Sequence, residues 1–163
     1  MMKGISIREP FATFITHGVK DLEIRGNKST AVIHTKHRGD LLICASSSMH
    51  HLYSKYKRWC GYSGDPVFDQ SFNEFQRMLL LEDSILFEPS PPSHIIGVVH
   101  LGQIIPFTQQ LVHRACCSYD PETSALVLSE PRRTKPIALA GRTSGMHLGI
   151  FNVKIDPSEL IFI

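Results

Sequence analysis

From Lys3 to Arg8 apolar and polar residues alternate, with Ile5 and Ile7 on one face and Ser6 and Arg8 on the other. That period of two predicts a short strand. Pro10 then stands at a first-turn position, and Phe11, Phe14 and Ile15 follow at i, i+3 and i+4. Residues 10–17 therefore predict a helix with one buried stripe, which Gly18 can end in a left-handed cap. Leu22 to Arg25 alternates again. Ala31 to Thr35 predicts a strand, His37 to Asp40 a turn, and Leu41 to Ala45 a nearly continuous apolar strand. Residues 46–66 are irregular. Asp65 and Pro66 form a cap and first turn for a helix over 67–80, where Phe68, Phe72, Phe75 and Leu79 keep helical spacing. His94 to Ile105 predicts a long central strand, and Ala125–Ser129, Gly149–Ile155 and Leu160–Ile163 predict shorter ones. Glu130 to Pro136 reads as a basic loop between prolines, and residues 106–124 show no clear period.

Short strands with few helices between them argue against a doubly wound parallel sheet. They predict an α+β fold: a small mixed or antiparallel β-barrel with two or three flanking helices. The length of 163 residues fits a single domain over 1–163, and Pro89–Ser93 is a stiff connector within it. At 42% hydrophobic residues the chain can bury a core without metal or disulfide staples. The net charge of +2 excludes a strongly basic surface, so nucleic-acid binding would need a local patch or pocket. Cys44, Cys60, Cys116 and Cys117 form no C-x-x-C pair and read as reduced thiols. With no secretory signal and no apolar run long enough to span a bilayer, the expectation is a soluble cytoplasmic or otherwise intracellular protein, with no membrane partner.

The chemistry concentrates in Gly18–Arg25, G-V-K-D-L-E-I-R. On an extended strand Glu23 and Arg25 share a face while Leu22 and Ile24 take the other, and Lys20 enters from the preceding turn. One carboxylate between two cations can hold a phosphate or the edge of a base, move a proton, or merely form a surface ion-pair network. Arg8, on the polar face of the first strand, and Ser46, at the end of the apolar strand, are candidates for the same cleft. So are Arg142 and Ser144, in the glycine-flanked turn 141–145. A second nucleic-acid candidate is the segment 50–62, where Lys55, Lys57 and Arg58 interleave with Tyr53, Tyr56, Trp59 and Tyr62. Lysines and arginines neutralise phosphates while aromatics stack on bases. The nine histidines show no zinc spacing, and no metal site is expected.

G-V-K-D-L-E-I-R resembles the G-x-K-x-x-E-x-R signature of ASCH domains, which are similar to the PUA domains of RNA-modifying proteins. The likeness continues in order along the chain. I-S-I-R-E-P-F-A at 5–12 resembles the family's opening strand and helix, and H-R-G-D-L-L-I-C-A-S at 37–46 its R-G-x-L-L-I-H-A-S strand. I-I-G-V-V-H-L at 95–101 is similar to its central strand, and G-M-H-L-G-I-F-N-V at 145–153 to its closing strand. The resemblance implies a compact barrel with the signature in a cleft, binding RNA or a modified nucleotide. It also implies an alternative, a hydrolase of the same fold. One family branch deacetylates acetylcytidine with a lysine and a threonine nucleophile; here Lys20 matches the lysine, and Glu23 stands at the threonine's place. Another branch is a metal-assisted ribonuclease for single-stranded RNA. The expected site residues are Lys20 and Glu23 if the protein catalyses. For ligand or RNA they are Arg8, Lys20, Glu23, Arg25, Ser46, Lys57, Arg58, Arg142 and Ser144. No cofactor is expected, unless a divalent metal such as manganese serves a ribonuclease. No protein partner is evident.

Overall fold

The computed structural model describes residues 1–46, 64–81, 90–144 and 149–163. In chain order the elements are β1 (Met2–Arg8), α1 (Phe11–Thr16), β2 (Leu22–Gly26), α2 (Thr30–Ile33), β3 (Gly39–Ser46), α3 (Pro66–Leu81), β4 (His94–Pro106), α4 (Val112–Ala115), β5 (Thr123–Ala138) and β6 (Ile150–Val153). The six strands form one sheet in the order β2-β5-β4-β3-β1-β6. It is the curled half-barrel of an α+β fold, with four helices among the described residues. Only β1 and β3 run parallel; every other pairing is antiparallel.

The alternating strands bury their apolar faces on two sides. Ile5, Ile7, Leu41, Ile43, Val99, Leu101 and Leu126 pack together with Ile15 of α1. Leu42, Cys44, Ile95, Val98 and Val153 pack on the opposite face. Phe14 of α1 meets Phe68, Phe72 and Phe75 of α3 in an aromatic cluster, with ring centroids 5.2 to 6.2 Å apart. The i, i+4, i+7 phenylalanine spacing thus makes α3 a clamp on α1. Close approach is required at Gly97, where a Cβ would lie 2.6 Å from Thr16 Cγ2 and 2.7 Å from the Arg132 carbonyl. Glycine there lets α1 lie against β4.

Three sequence expectations are corrected. Residues 31–35 are not a strand: Thr30–Ile33 is one helical turn that buries Val32. A short apolar run carries too little periodicity to separate the two. Glu130–Pro136 is not a loop but the continuation of β5. Two register shifts against β4 lie in this stretch, with Glu130 at φ 51°, and they accommodate Pro131 and Pro136 within a paired strand. Leu160–Ile163 forms no edge strand, only a single bridge from Phe162 to Thr134. The unread segment 106–124 contains a 3-10 turn at Gln109–Leu111 and then α4.

Asp65 caps α3 as its position predicts, accepting from the Val67 and Phe68 amides at 3.0 and 3.1 Å. It also accepts from the Ser118 amide and hydroxyl, both at 2.8 Å, and so ties the helix to the segment after α4. Partial burial pushes the Asp65 carboxyl up, but these four hydrogen bonds outweigh it and hold its pKa below the ordinary value. The cap's contribution is therefore present above the normal carboxylate range and is lost as pH falls through the lowered pKa. Asp65→Ala is expected to cost about 1–2 kcal/mol at neutral pH. In urea unfolding the gap from wild type should shrink on acidification; a gap independent of pH would rule out the charged cap.

Candidate functional site

The sheet curls without closing. β6 pairs with β1 only from Met2 to Ile5, so Ser6, Ile7 and Arg8 run past the end of β6. β2, at the other end of the strand order, faces this stretch across a seam. Arg25 bridges it from the side chain: its Nη2 donates to the Ser6 carbonyl at 2.9 Å. A cavity of about 400 Å³ lies in the seam, walled by Ser6, Arg8, Phe11, Lys20, Glu23, Arg25, Ser46 and Cys117 among others. That volume falls within the roughly 300–1,000 Å³ usual for small-ligand sites.

The turn after α1 places Lys20. Gly18 takes φ 75°, and the amides of Val19 and Lys20 both donate to the Phe14 carbonyl, at 2.9 and 3.1 Å. Lys20 then turns inward and is only 3% exposed. Its ammonium donates to the Ala115 carbonyl at 2.7 Å, lies 3.7 Å from Glu23 Oε2 and sits 5.0 Å from the centre of the Phe11 ring. Glu23 uses its other oxygen to hold Arg25 Nη2 at 3.0 Å. The neighbouring Asp21 fixes the turn from outside. Its carboxylate pairs with both Arg114 Nε and Nη2 at 3.0 Å, and its carbonyl accepts from the Leu128 amide at 2.9 Å.

The wall thus carries three cations, Arg8, Lys20 and Arg25, against one carboxylate, Glu23. Arg25 Nε is buried and finds no acceptor among the described protein atoms. A buried donor of this kind is costly unless something accepts from it. The arrangement suits an anionic or acceptor-rich ligand with a flat apolar part that can lie against Phe11.

Of the residues singled out in the sequence, Arg8, Lys20, Glu23, Arg25 and Ser46 line this one cavity. Arg142 does not. Its guanidinium pairs with Glu159 at 2.7 Å and donates to the Lys154 carbonyl at 3.2 Å, fastening the chain on either side of β6. Ser144 is exposed and lies off the cavity wall. Lys57 and Arg58 lie outside the described residues. Phe11 and Cys117 are additions. Phe11 reads in the sequence as a core position, and the proline-aromatic pair of the opening segment was the available signal. Cys117 carried none, because the left-handed Cys116, φ 54°, ends α4 and parts the two thiols. Cys116 joins the aromatic cluster and Cys117 faces the seam. Among the described residues no group of histidines, cysteines and carboxylates could hold a metal ion. No helix among them is long and apolar enough to cross a membrane.

The sequence model of the ASCH domain family matches residues 5–138. This chain belongs to the ASCH domain family. ASCH from Zymomonas mobilis resembles it in structure with a TM-score of 0.54 at 16% identity, covering 97% of this chain and 90% of that one. A point mutant of the Zymomonas protein gives 0.50 at 15% identity, covering 93% and 89%. At that identity the likeness is one of fold. No curated protein matches the chain.

Burial governs the three described thiols of this ASCH domain. It pushes Cys44 up to about 12 and raises Cys116 and Cys117 as well, with the Lys20 charge partly opposing the rise in the last two. Only a thiolate alkylates readily. Iodoacetamide at about pH 8 is expected to modify Cys117 before Cys116, and Cys44 only on unfolding. Peptide mass spectrometry checks the order; labelling of Cys44 in the folded protein would contradict it.

Proposed function

We propose that this ASCH domain binds RNA or a nucleotide, modified or not, in the seam cavity. The observation that carries the reading is the excess of cations around a half-open cavity whose wall also holds a donor with no acceptor among the described residues, Arg25 Nε. Phosphate or base oxygens supply the acceptors, and Phe11 offers a face for a base. Glu23 keeps Arg25 oriented and can accept from an exocyclic amine. The family's PUA-like character and its link to RNA binding support the same reading.

A hydrolytic reading, nucleoside amidohydrolase or single-stranded ribonuclease, draws on Ser46, Lys20 and Glu23 sharing the cavity. It is the weaker one. Glu23 occupies the threonine's place in the signature. A lysine base needs a free lone pair, whereas Lys20 is engaged through its positive charge with a carbonyl, a carboxylate and a ring.

Lys20→Ala and Glu23→Gln are expected to keep the fold by circular dichroism and to weaken binding of single-stranded RNA or nucleoside monophosphates roughly tenfold or more. Retained affinity in both folded variants would remove the cavity from binding. Acylated cytidines and labelled RNA, incubated with wild type with and without manganese, separate the classes: product formation would favour the hydrolase. For the basic-aromatic segment, the double change Lys57→Ala with Arg58→Ala should flatten the salt dependence of RNA binding. An unaltered slope would take that segment out of the interface.

A further inference from the structure

Half of the described arginines are answered by carboxylates. Among the described residues Arg25 pairs with Glu23, Arg114 with Asp21, Arg132 with Asp40 and Arg142 with Glu159. Arg133 is held differently. Its Nη1 lies 2.8 Å from His17 Nε2. A guanidinium can only donate, so Nε2 accepts, and the ring proton sits on Nδ1, which donates to the Thr13 carbonyl at 2.9 Å. The ring also packs edge-on to Phe75, with centroids 5.2 Å apart. A neutral imidazole thus positions the Arg133 guanidinium without cancelling its charge.

That guanidinium borders a cavity of about 500 Å³, walled also by His17, Met78, Arg132, Phe162 and Ile163. Phe162 is 48% exposed and Ile163 64%, and the Arg132 guanidinium lies over the Phe162 ring at 5.4 Å from its centre. A cation with no carboxylate partner among the described residues, beside an exposed aromatic ring, is the chemistry that holds a phosphodiester with its base. A third cavity of about 230 Å³ lies between this one and the seam, sharing Pro131 with the first and Lys20 with the second.

We propose that the Arg133 cavity is a second nucleic-acid contact: Arg133 takes a backbone phosphate and Phe162 a base of a single strand that also places a nucleotide in the seam. This extends the reading of the seam as a nucleotide site and rests on it. The two cavities share no lining residue, so the second contact is expected to act only on ligands long enough to enter both. An acidic peptide is the competing occupant.

The test compares two probes on wild type, Arg133→Ala and Arg133→Lys: a labelled single-stranded RNA of about ten nucleotides and single nucleoside monophosphates. Arg133 is exposed, so both variants should fold, which circular dichroism checks. The expected result is that Arg133→Ala binds the RNA about fivefold to tenfold more weakly, with a salt slope lower by about 0.7. Arg133→Lys should keep the slope, since lysine neutralises a phosphate as a point charge. Monophosphate affinity should not change. RNA binding by Arg133→Ala with wild-type affinity and slope overturns the second contact and leaves the seam reading standing. An equal loss for monophosphates overturns it too, since Arg133 would then act on the seam. If wild type binds neither probe, the seam reading falls and takes this inference with it. Competition of RNA by a polyglutamate peptide in wild type but not in Arg133→Ala, with RNA affinity equal in the two, would assign the cavity to acidic peptides instead.

Discussion

A sheet that curls and stops short of closing leaves backbone groups unpaired along its seam, and the most consequential bond in this molecule answers one of them. Arg25 donates to the Ser6 carbonyl from a side chain, where a closed barrel would use a neighbouring strand. The bond demands a fixed arginine, and Glu23 fixes it. Glu23, nearly buried, demands a second cation, and Lys20 provides it. Lys20 in turn could not be buried without an acceptor for its ammonium. The Ala115 carbonyl, at the end of α4, serves. The seam, the signature and the short helix far along the chain are one connected structure. The space that remains between them is the cavity.

The same logic explains why net charge was a poor guide. The excess of two positive charges over the whole chain says little when half of the described arginines sit beside carboxylates and the others do not. What matters is where pairing is incomplete: at the seam, where three cations share one carboxylate, and at Arg133, where the partner is uncharged.

β1 was legible from its alternation, and β3 and β4 from apolar runs rich in isoleucine, valine and leucine, which the sheet buries on both faces. The α3 helix was legible from its phenylalanines. What escaped was set by long-range packing. Residues 30–33 coil because Val32 finds a buried place, which four residues of sequence do not encode. Pro131 and Pro136 signal a loop locally, but bulges let the paired strand carry them. At the site, Lys20, Glu23 and Arg25 were legible because their spacing on a turn and strand is local. Arg8 was singled out from the polar face of β1 and Ser46 from the end of β3; what brings them together, Arg8 opposite Ser46, is the parallel pairing of these strands, which the sequence did not show. Cys117 was not legible, because a left-handed residue at 116 decides its direction. Arg142 had the right composition for a binding turn, and only the position of Glu159 shows that it is spoken for.

The strand order carries a last consequence. Among the described residues β2 and β6 are the terminal strands of the sheet, five and four residues long. Open strand margins invite other chains to add to them, and proteins guard such margins with short length and charge. β2 has both: Glu23 and Arg25 occupy two of its five positions. Glu23 is buried and Arg25 bonds the Ser6 carbonyl, so on this margin the charges tie β2 to β1 across the seam rather than face solvent. A substitution at either position therefore changes the cavity wall and a margin of the sheet at once.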